Sequence, residues 1–250
     1  MLRTLDARGL ADYEALAASD FFARAVADGS IVATERADDV DPAALGGGWA
    51  AVLRHERVPF ISYPYEWPFE MLRDAARLQL ALTEAALAED LTTKDATPYN
   101  VQFVGARPTF IDIGSFERLR ADEPWYGYRQ FCQLFLFPLM LQAWKDLPFQ
   151  PWLRGAIDGI TPIVARQMLS RGDVLTRRGA RIHVALHARA ERRHAGTDRD
   201  VKAELKQAGY KKEITIAQVR GLTKVVDRLR WKRSDSEWSG YSERSHYSDD

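Results

Sequence analysis

Asp95, Asn100 and Asp112 fall within one stretch, LTTKDATPYNVQFVGARPTFIDIGSF, residues 91–116, between segments that otherwise read as core. A carboxylate at Asp95 can accept a proton from a hydroxyl or orient that hydroxyl. Asn100 and Asp112 offer hard oxygen ligands of the kind magnesium takes. Phosphoryl transfer is mostly positioning plus charge neutralisation, so one base and two oxygen ligands can suffice for it. The competing reading is local: Asp and Asn are favoured turn formers and could simply cap and turn the chain.

The flanking pattern supplies elements to hold such a group. Residues 69–90, FEMLRDAARLQLALTEAALAED, place Leu72, Ala75, Ala76, Leu80, Thr83 and Leu87 near one helical face. VQFV and TFIDIG read as two short strands joined by the Gly/Pro turn GARP, hence a hairpin that fixes the separation of Asn100 from Asp112. Gly114 is expected to let the chain turn sharply after Asp112. Residues 9–28 are helical in spacing, with Asp20 expected to cap a second short helix. GSIVATERADD reads as a turn and short strand, and Val58–Tyr63 as a short β-favouring run. Residues 125–147 and 150–170 read as buried helices, with further helical patterns near 198–208 and 215–231. The triple glycine Gly46–Gly48 lacks the spacing and the Lys-Ser/Thr of a phosphate loop and is expected to be a flexible connection.

Composition narrows the classes. A chain of 250 residues with 46% hydrophobic and 28% charged residues is ordinary for a soluble globular protein, and a net charge of zero gives no global pull toward nucleic acid or acidic membrane. A single cysteine, Cys132, excludes an internal disulfide and a cysteine-based zinc cluster, and its apolar setting reads as a buried small hydrophobe. The charged amphipathic start does not read as a signal peptide, and the most apolar stretch, Phe131–Trp144, is too short to span a bilayer. The expectation is a cytoplasmic protein without a membrane partner.

The order of amphipathic helix, loop, hairpin and Asp-Ile-Gly resembles the catalytic segment of the protein-kinase-like fold, including its small-molecule phosphotransferases. There the loop reads His-x-Asp-x-x-x-x-Asn and the hairpin leads to Asp-Phe-Gly. Here Thr93-Lys94-Asp95-Ala96-Thr97-Pro98-Tyr99-Asn100 stands for the loop and Asp112-Ile113-Gly114 for the second motif. The resemblance implies Asp95 as base, Asn100 and Asp112 as magnesium ligands, ATP as phosphoryl donor, and a small-molecule or glycan hydroxyl as acceptor, because residues 115–124 are too short for a peptide-binding activation segment. Thr93 occupies the place of the histidine that braces the loop. No lysine precedes residue 60, so the phosphate clamp of a complete small lobe would fall to Arg3 paired with Glu14, unless these two merely form an exposed pair at the helix entry. The strands carrying a glycine-rich flap would have to precede this chain. Tyr63 to Trp67, with Glu66 among them, fall at the expected hinge and either line a nucleotide pocket or pack as aromatics between prolines.

Three further runs, RVPFISYPYEWPFEMLRDAARLQLALTEAAL, KDATPYNVQFVGARPTFIDIGSFE and PWYGYRQFCQLFLFPLML, resemble a bacterial group in which such a segment precedes a class I S-adenosylmethionine-dependent methyltransferase. No Gly-x-Gly-x-Gly strand–helix turn lies in residues 1–250, so S-adenosylmethionine would enter only through a domain absent from this sequence, and a methyltransferase domain or partner is implied. The fold expected is α+β, kinase-like, with a truncated small lobe and hinge over 1–66, a mainly helical large lobe over 67–233 carrying the catalytic loop and metal-binding hairpin, and a polar linker over 234–250. A catalytically silent module serving a methyltransferase is the alternative to an active phosphotransferase. Glu117, Arg118 and Arg129 are expected to pair structurally. His183, His187 and His194 are expected to face solvent rather than hold a metal. The basic segment 181–233, with 15 Lys/Arg against six Asp/Glu, is expected to be a solvated face or an internal docking surface, with nucleic acid disfavoured.

Overall fold

The computed structural model describes residues 1–120, 123–194 and 211–232. The helix expected near 198–208 and the polar linker over 234–250 lie outside the described residues. The fold is α+β. Three antiparallel strands, β1 (Leu2–Leu5), β2 (Thr34–Arg36) and β3 (Ala51–His55), form one sheet in the order β1-β3-β2, with Arg3 opposite Leu53 and Glu35 opposite Arg54. Between β1 and β2 run α1 (Ala7–Ala17) and α2 (Asp20–Ala27). Asp6 caps α1 by accepting the Gly9 N–H at 2.7 Å. Ser19, not Asp20, caps α2: its hydroxyl accepts the Phe22 N–H at 3.2 Å, and Asp20 is the first helical residue, where its charge suits the helix dipole.

The strand signal at Val58–Tyr63 is corrected. Those residues form no strand, and the pairing strand is Ala51–His55, upstream of them. Pro59 cannot donate to a ladder, and Phe60 and Ile61 are exposed, so apolar β-favouring composition there had nothing to pair with.

α3 (Phe69–Ala88) is the spine of the remainder, burying Leu72, Ala75, Ala76, Leu80, Thr83, Ala86 and Leu87 on one face. Beyond it β4 (Leu91–Thr93) pairs antiparallel with β7 (Phe116–Arg118), and β5 (Val101–Val104) with β6 (Arg107–Phe110), the latter pair turning through Gly105 at φ 63°. The Phe116 ring packs on Phe110 at 5.4 Å and on Phe21 of α2 at 5.6 Å, joining the hairpin to the first helices in one core. α4 (Gly127–Phe131) and α5 (Phe137–Lys145) are linked by a π-helical stretch, Cys132–Leu136. Pro138 has no N–H for the Leu134 carbonyl, and the widened turn stands just ahead of that gap. Four short elements follow: α6 (Gln150–Gly155), α7 (Pro162–Met168), α8 (Arg171–Thr176) and α9 (His187–His194), the last entered through a second π-helical stretch, Ala180–Leu186. Cys132 is fully buried, and burial pushes its thiol up to about 12, which makes it inert.

α10 (Lys212–Val226) lies along α3, its Val219, Leu222, Val225 and Val226 buried. Arg220 reaches Glu84 at 2.6 Å, and Asp227 just beyond the helix meets Arg77 at 2.8 Å. This part of the basic segment is therefore an internal docking surface. Glu117 and Arg129 are paired as expected, the former with Arg8 and Arg120, the latter with Glu191. The histidine expectation is corrected: His183 is buried with its Nδ1 2.9 Å from the Tyr128 hydroxyl, and His187 stacks on the Tyr128 ring, because the π-helical turn swings both toward α4. The side chain of His194 lies outside the described residues. Among the described residues no helix is long and apolar enough to cross a membrane.

Two outcomes follow from this packing. Leu222→Ala should cost about 2–5 kcal/mol in denaturant unfolding, whereas Arg220→Ala should cost about 0.5 kcal/mol, since exposed ion pairs contribute little beside a buried leucine. Burial, then the neighbouring His187, holds the His183 imidazole down to about 4, below its ordinary 6.5. The unfolded chain therefore binds the proton first, and stability should fall as pH drops from about 6.5 toward 4, by on the order of 2–3 kcal/mol. His183→Gln should flatten that part of the stability profile; an unchanged slope would assign it to other groups.

Candidate functional site

The hairpin and its exits converge on a cleft of about 740 Å³ lined by Arg3, His55, Val58, Ile61, Asn100 and Asp112 among others. One wall comes from β1, β3 and the segment after β3, the other from the start of β5 and the end of β6. Asn100 ends a 3₁₀ turn, Pro98–Asn100, and its carbonyl accepts the Ile111 N–H at 2.9 Å, which locks it beside the residue before Asp112. The Asn100 amide donates to Ser115 Oγ at 3.0 Å, and Ser115 Oγ donates to Asp112 Oδ2 at 2.7 Å. The two candidate metal ligands are thus brought together through a serine that the sequence reading passed over. Its signal was present: a hydroxyl three residues after Asp112, at the end of the 3₁₀ turn Ile113–Ser115.

Arg3 reaches the same carboxylate. Its Nη1 donates to Asp112 Oδ1 at 2.5 Å across a separation of 109 residues. The Arg3–Glu14 pair is not formed. Glu14 is exposed and lies 4.0 Å from Arg36, because α1 turns that residue toward β2. The acidic residue that α1 directs at the site loop is Asp12, 3.7 Å from Lys94. The role expected of Gly114 is corrected as well. Its φ is not in the left-handed region, and the missing side chain instead makes room for Arg3, whose Nη1 would lie 2.9 Å from an added Cβ.

Asp95 is held by its neighbours. Lys94 N–H donates to the Ser115 carbonyl at 2.7 Å, and Ala96 N–H to Gln130 Oε1 at 2.6 Å. The Asp95 side chain is exposed, makes no hydrogen bond or ion pair among the described residues, and does not line the Arg3–Asp112 cleft. Thr93 is buried and braces the loop: the Trp125 indole N–H donates to its carbonyl at 3.0 Å and to its hydroxyl at 3.1 Å, and Thr83 Oγ1 sits 3.1 Å from that hydroxyl. Tyr63 and Glu66 do not line the cleft. Glu66 accepts the Tyr63 N–H at 2.7 Å to close the turn Pro64–Glu66, and Tyr63 stacks on Tyr65 at 5.3 Å.

Among the lining residues Asn100 and Asp112 carry hard oxygen donors, the side-chain carbonyl and the carboxylate, and the buried Ser115 hydroxyl holds the two together. That chemistry fits magnesium shared with phosphate oxygens rather than a closed protein cage. Among the described residues no group of three or more His, Cys, Asp or Glu side chains is placed to hold a metal. His55, facing the same cleft, is held below its ordinary value first by burial, then by the Arg3 cation and the amino terminus, with Asp112 opposing.

No protein-family model matches the chain. It is similar to Nodulation protein NoeA of Rhizobium meliloti (strain 1021), with 38% identity over 160 residues, which is 64% of this chain and 33% of that protein. The chain thus spans about a third of the length of the curated relative it matches.

The charges around His55 give a direct check on the pair above it. Arg3→Gln should raise the His55 pKa and Asp112→Asn should lower it, read by NMR titration of the imidazole. Equal shifts of the same sign in both variants would place the Arg3–Asp112 pair elsewhere in solution.

Proposed function

We propose that this chain is a kinase-like domain that binds ATP with magnesium in the Arg3–Asp112 cleft and transfers phosphate to a hydroxyl of a small molecule or glycan. The observation that carries the reading is the meeting of Arg3, Asn100 and Asp112 at one cleft, from segments far apart in the chain, beside a loop that presents an unpaired Asp95. When bound with the nucleotide, magnesium would be held by Asn100 and Asp112 and would neutralise charge on the phosphates. Arg3 is positioned to exchange the Asp112 carboxylate for phosphate oxygens, which a guanidinium can grip in a bidentate manner. Ser115 keeps Asp112 oriented during that exchange. Asp95 accepts the acceptor hydroxyl's proton as its oxygen bonds to the terminal phosphorus, and the bond to the leaving nucleoside diphosphate breaks.

A second reading has its own support. Both carboxylate oxygens of Asp112 are engaged by protein donors, Arg3 and Ser115, and no lysine stands before Lys94 to serve as the usual clamp. These features favour a catalytically silent module, whose partner would be the methyltransferase expected from the segment's resemblance. The matched stretch leaves two thirds of the nodulation protein unmatched, which is room for such a domain in a longer chain.

Calorimetric titration with Mg-ATP separates the two. Binding by the parent that weakens at least tenfold in Asp112→Asn supports a nucleotide site, and Asp95→Asn should then keep binding while lowering transfer by roughly 10²–10⁴-fold. Absence of Mg-ATP binding by the parent would overturn autonomous phosphotransfer.

A further inference from the structure

A second cavity, of about 470 Å³, opens on the side of α4 and shares no lining residue with the Arg3–Asp112 cleft. Its lining is polar almost throughout: Tyr126, Arg129, Gln130, Gln133, Asp158 and Thr161. Gln130 belongs both to this lining and to the catalytic-loop anchor, because its Oε1 accepts the Ala96 N–H at 2.6 Å. Gly127, one turn earlier, lies so close to the loop that an added Cβ would sit 3.1 Å from the Ala96 side chain. The cavity is therefore tied through Gln130 to the loop residue next to Asp95.

The walls are fixed by main-chain contacts. Gly159, at φ 73°, brings its backbone onto the Gln133 carbonyl, where any side chain would meet that oxygen at 2.4 Å. The Ile160 N–H donates to the same carbonyl at 3.0 Å, which holds Asp158 and Thr161 opposite α4. Gln133 lies in the π-helical stretch, and such widened turns recur at functional sites. Its side-chain oxygen accepts from Arg129 Nε at 3.1 Å, and Arg129 is in turn tied to Glu191 at 2.6 Å, so the guanidinium's charge is largely answered within the protein.

We infer that this cavity is the acceptor site of the proposed transfer and that it takes a neutral polyhydroxylated ligand, a saccharide unit presenting one hydroxyl to Asp95. The inference rests on the phosphotransfer reading. Two amides, a carboxylate and a hydroxyl supply donors and acceptors that match the hydroxyls of a sugar ring better than an aliphatic acceptor, and the Asp158 carboxylate disfavours an anionic one. Tyr126 offers an exposed ring edge at the rim for the ring's apolar face. The volume is within the range of small-ligand pockets.

The test uses the full chain and two independent readouts. Saturation-transfer NMR with glucose, galactose, maltose and cellobiose should detect at least one of them on the parent, and Asp158→Ala and Thr161→Val should each weaken that binding at least tenfold. Mg-ATP binding by calorimetry should be the same in all three proteins. Saccharide binding that is absent from the parent, or unchanged in both variants, while Mg-ATP still binds, would overturn the acceptor assignment alone. Loss of Mg-ATP binding in the parent would instead overturn the phosphotransfer reading on which it rests.

Discussion

The contact between the Arg3 guanidinium and the Asp112 carboxylate ties the first strand of the chain to the turn that follows the β5–β6 hairpin. Much of the surrounding detail is arranged around it. Gly114 lacks a side chain where the guanidinium passes. Ser115 holds the other carboxylate oxygen and hands the connection on to Asn100. His55, buried on the neighbouring strand, feels both charges with opposite sign. A cation and an anion held this close in a partly enclosed cleft lose some hydration, and the arrangement repays that loss only with additional hydrogen bonds, which Ser115 supplies.

The loop around Asp95 is built on a different principle. Its polar positions are held by backbone bonds to elements behind it, from Ser115 on one side of Asp95 and Gln130 on the other. A buried hydroxyl pair, Thr83 and Thr93, with the Trp125 indole bonded to it, braces the loop from behind. These bracing groups do not titrate near neutral pH, so the loop's anchoring does not depend on pH there.

The α+β character was legible because its signals are local. The periodicity of α3, the Gly105 turn between two β-favouring runs and the meeting of Asn100 with Asp112 across that hairpin can all be read within about forty residues. What was not legible depended on partners distant in sequence. Ala51–His55 is short, and only its pairing with β1 and β2 makes it a strand. Arg3 selects Asp112 over Glu14 because the sheet and the hairpin bring them together, and spacing along α1 carries no trace of that. His183 and His187 face inward because a π-helical turn shifts the register of a face that ordinary helical spacing would expose. Asp12 and Gln130 gain their roles in the same way, from packing against a loop far from them in the chain.

Besides the Arg3–Asp112 pair and the packing of α1 and α2 on β7 and α3, hydrogen bonds to the main chain join the strand-bearing part to the hairpin side at two places. One is the segment after β3, where Gln102 exchanges two hydrogen bonds with the main chain of Ser62. The other lies after α2, where Ile31 bridges Phe110, Val32 N–H donates to the Phe110 carbonyl, and Thr109 and Arg107 reach the carbonyls of Gly29 and Asp28. Two attachments alone would leave a rigid body free to rotate about the line that joins them, but the Phe21–Phe116 ring contact and the Arg3–Asp112 pair link the same two parts. More than two attachments leave no free axis, so the cleft keeps the width that the fold sets and a ligand must fit an opening already made.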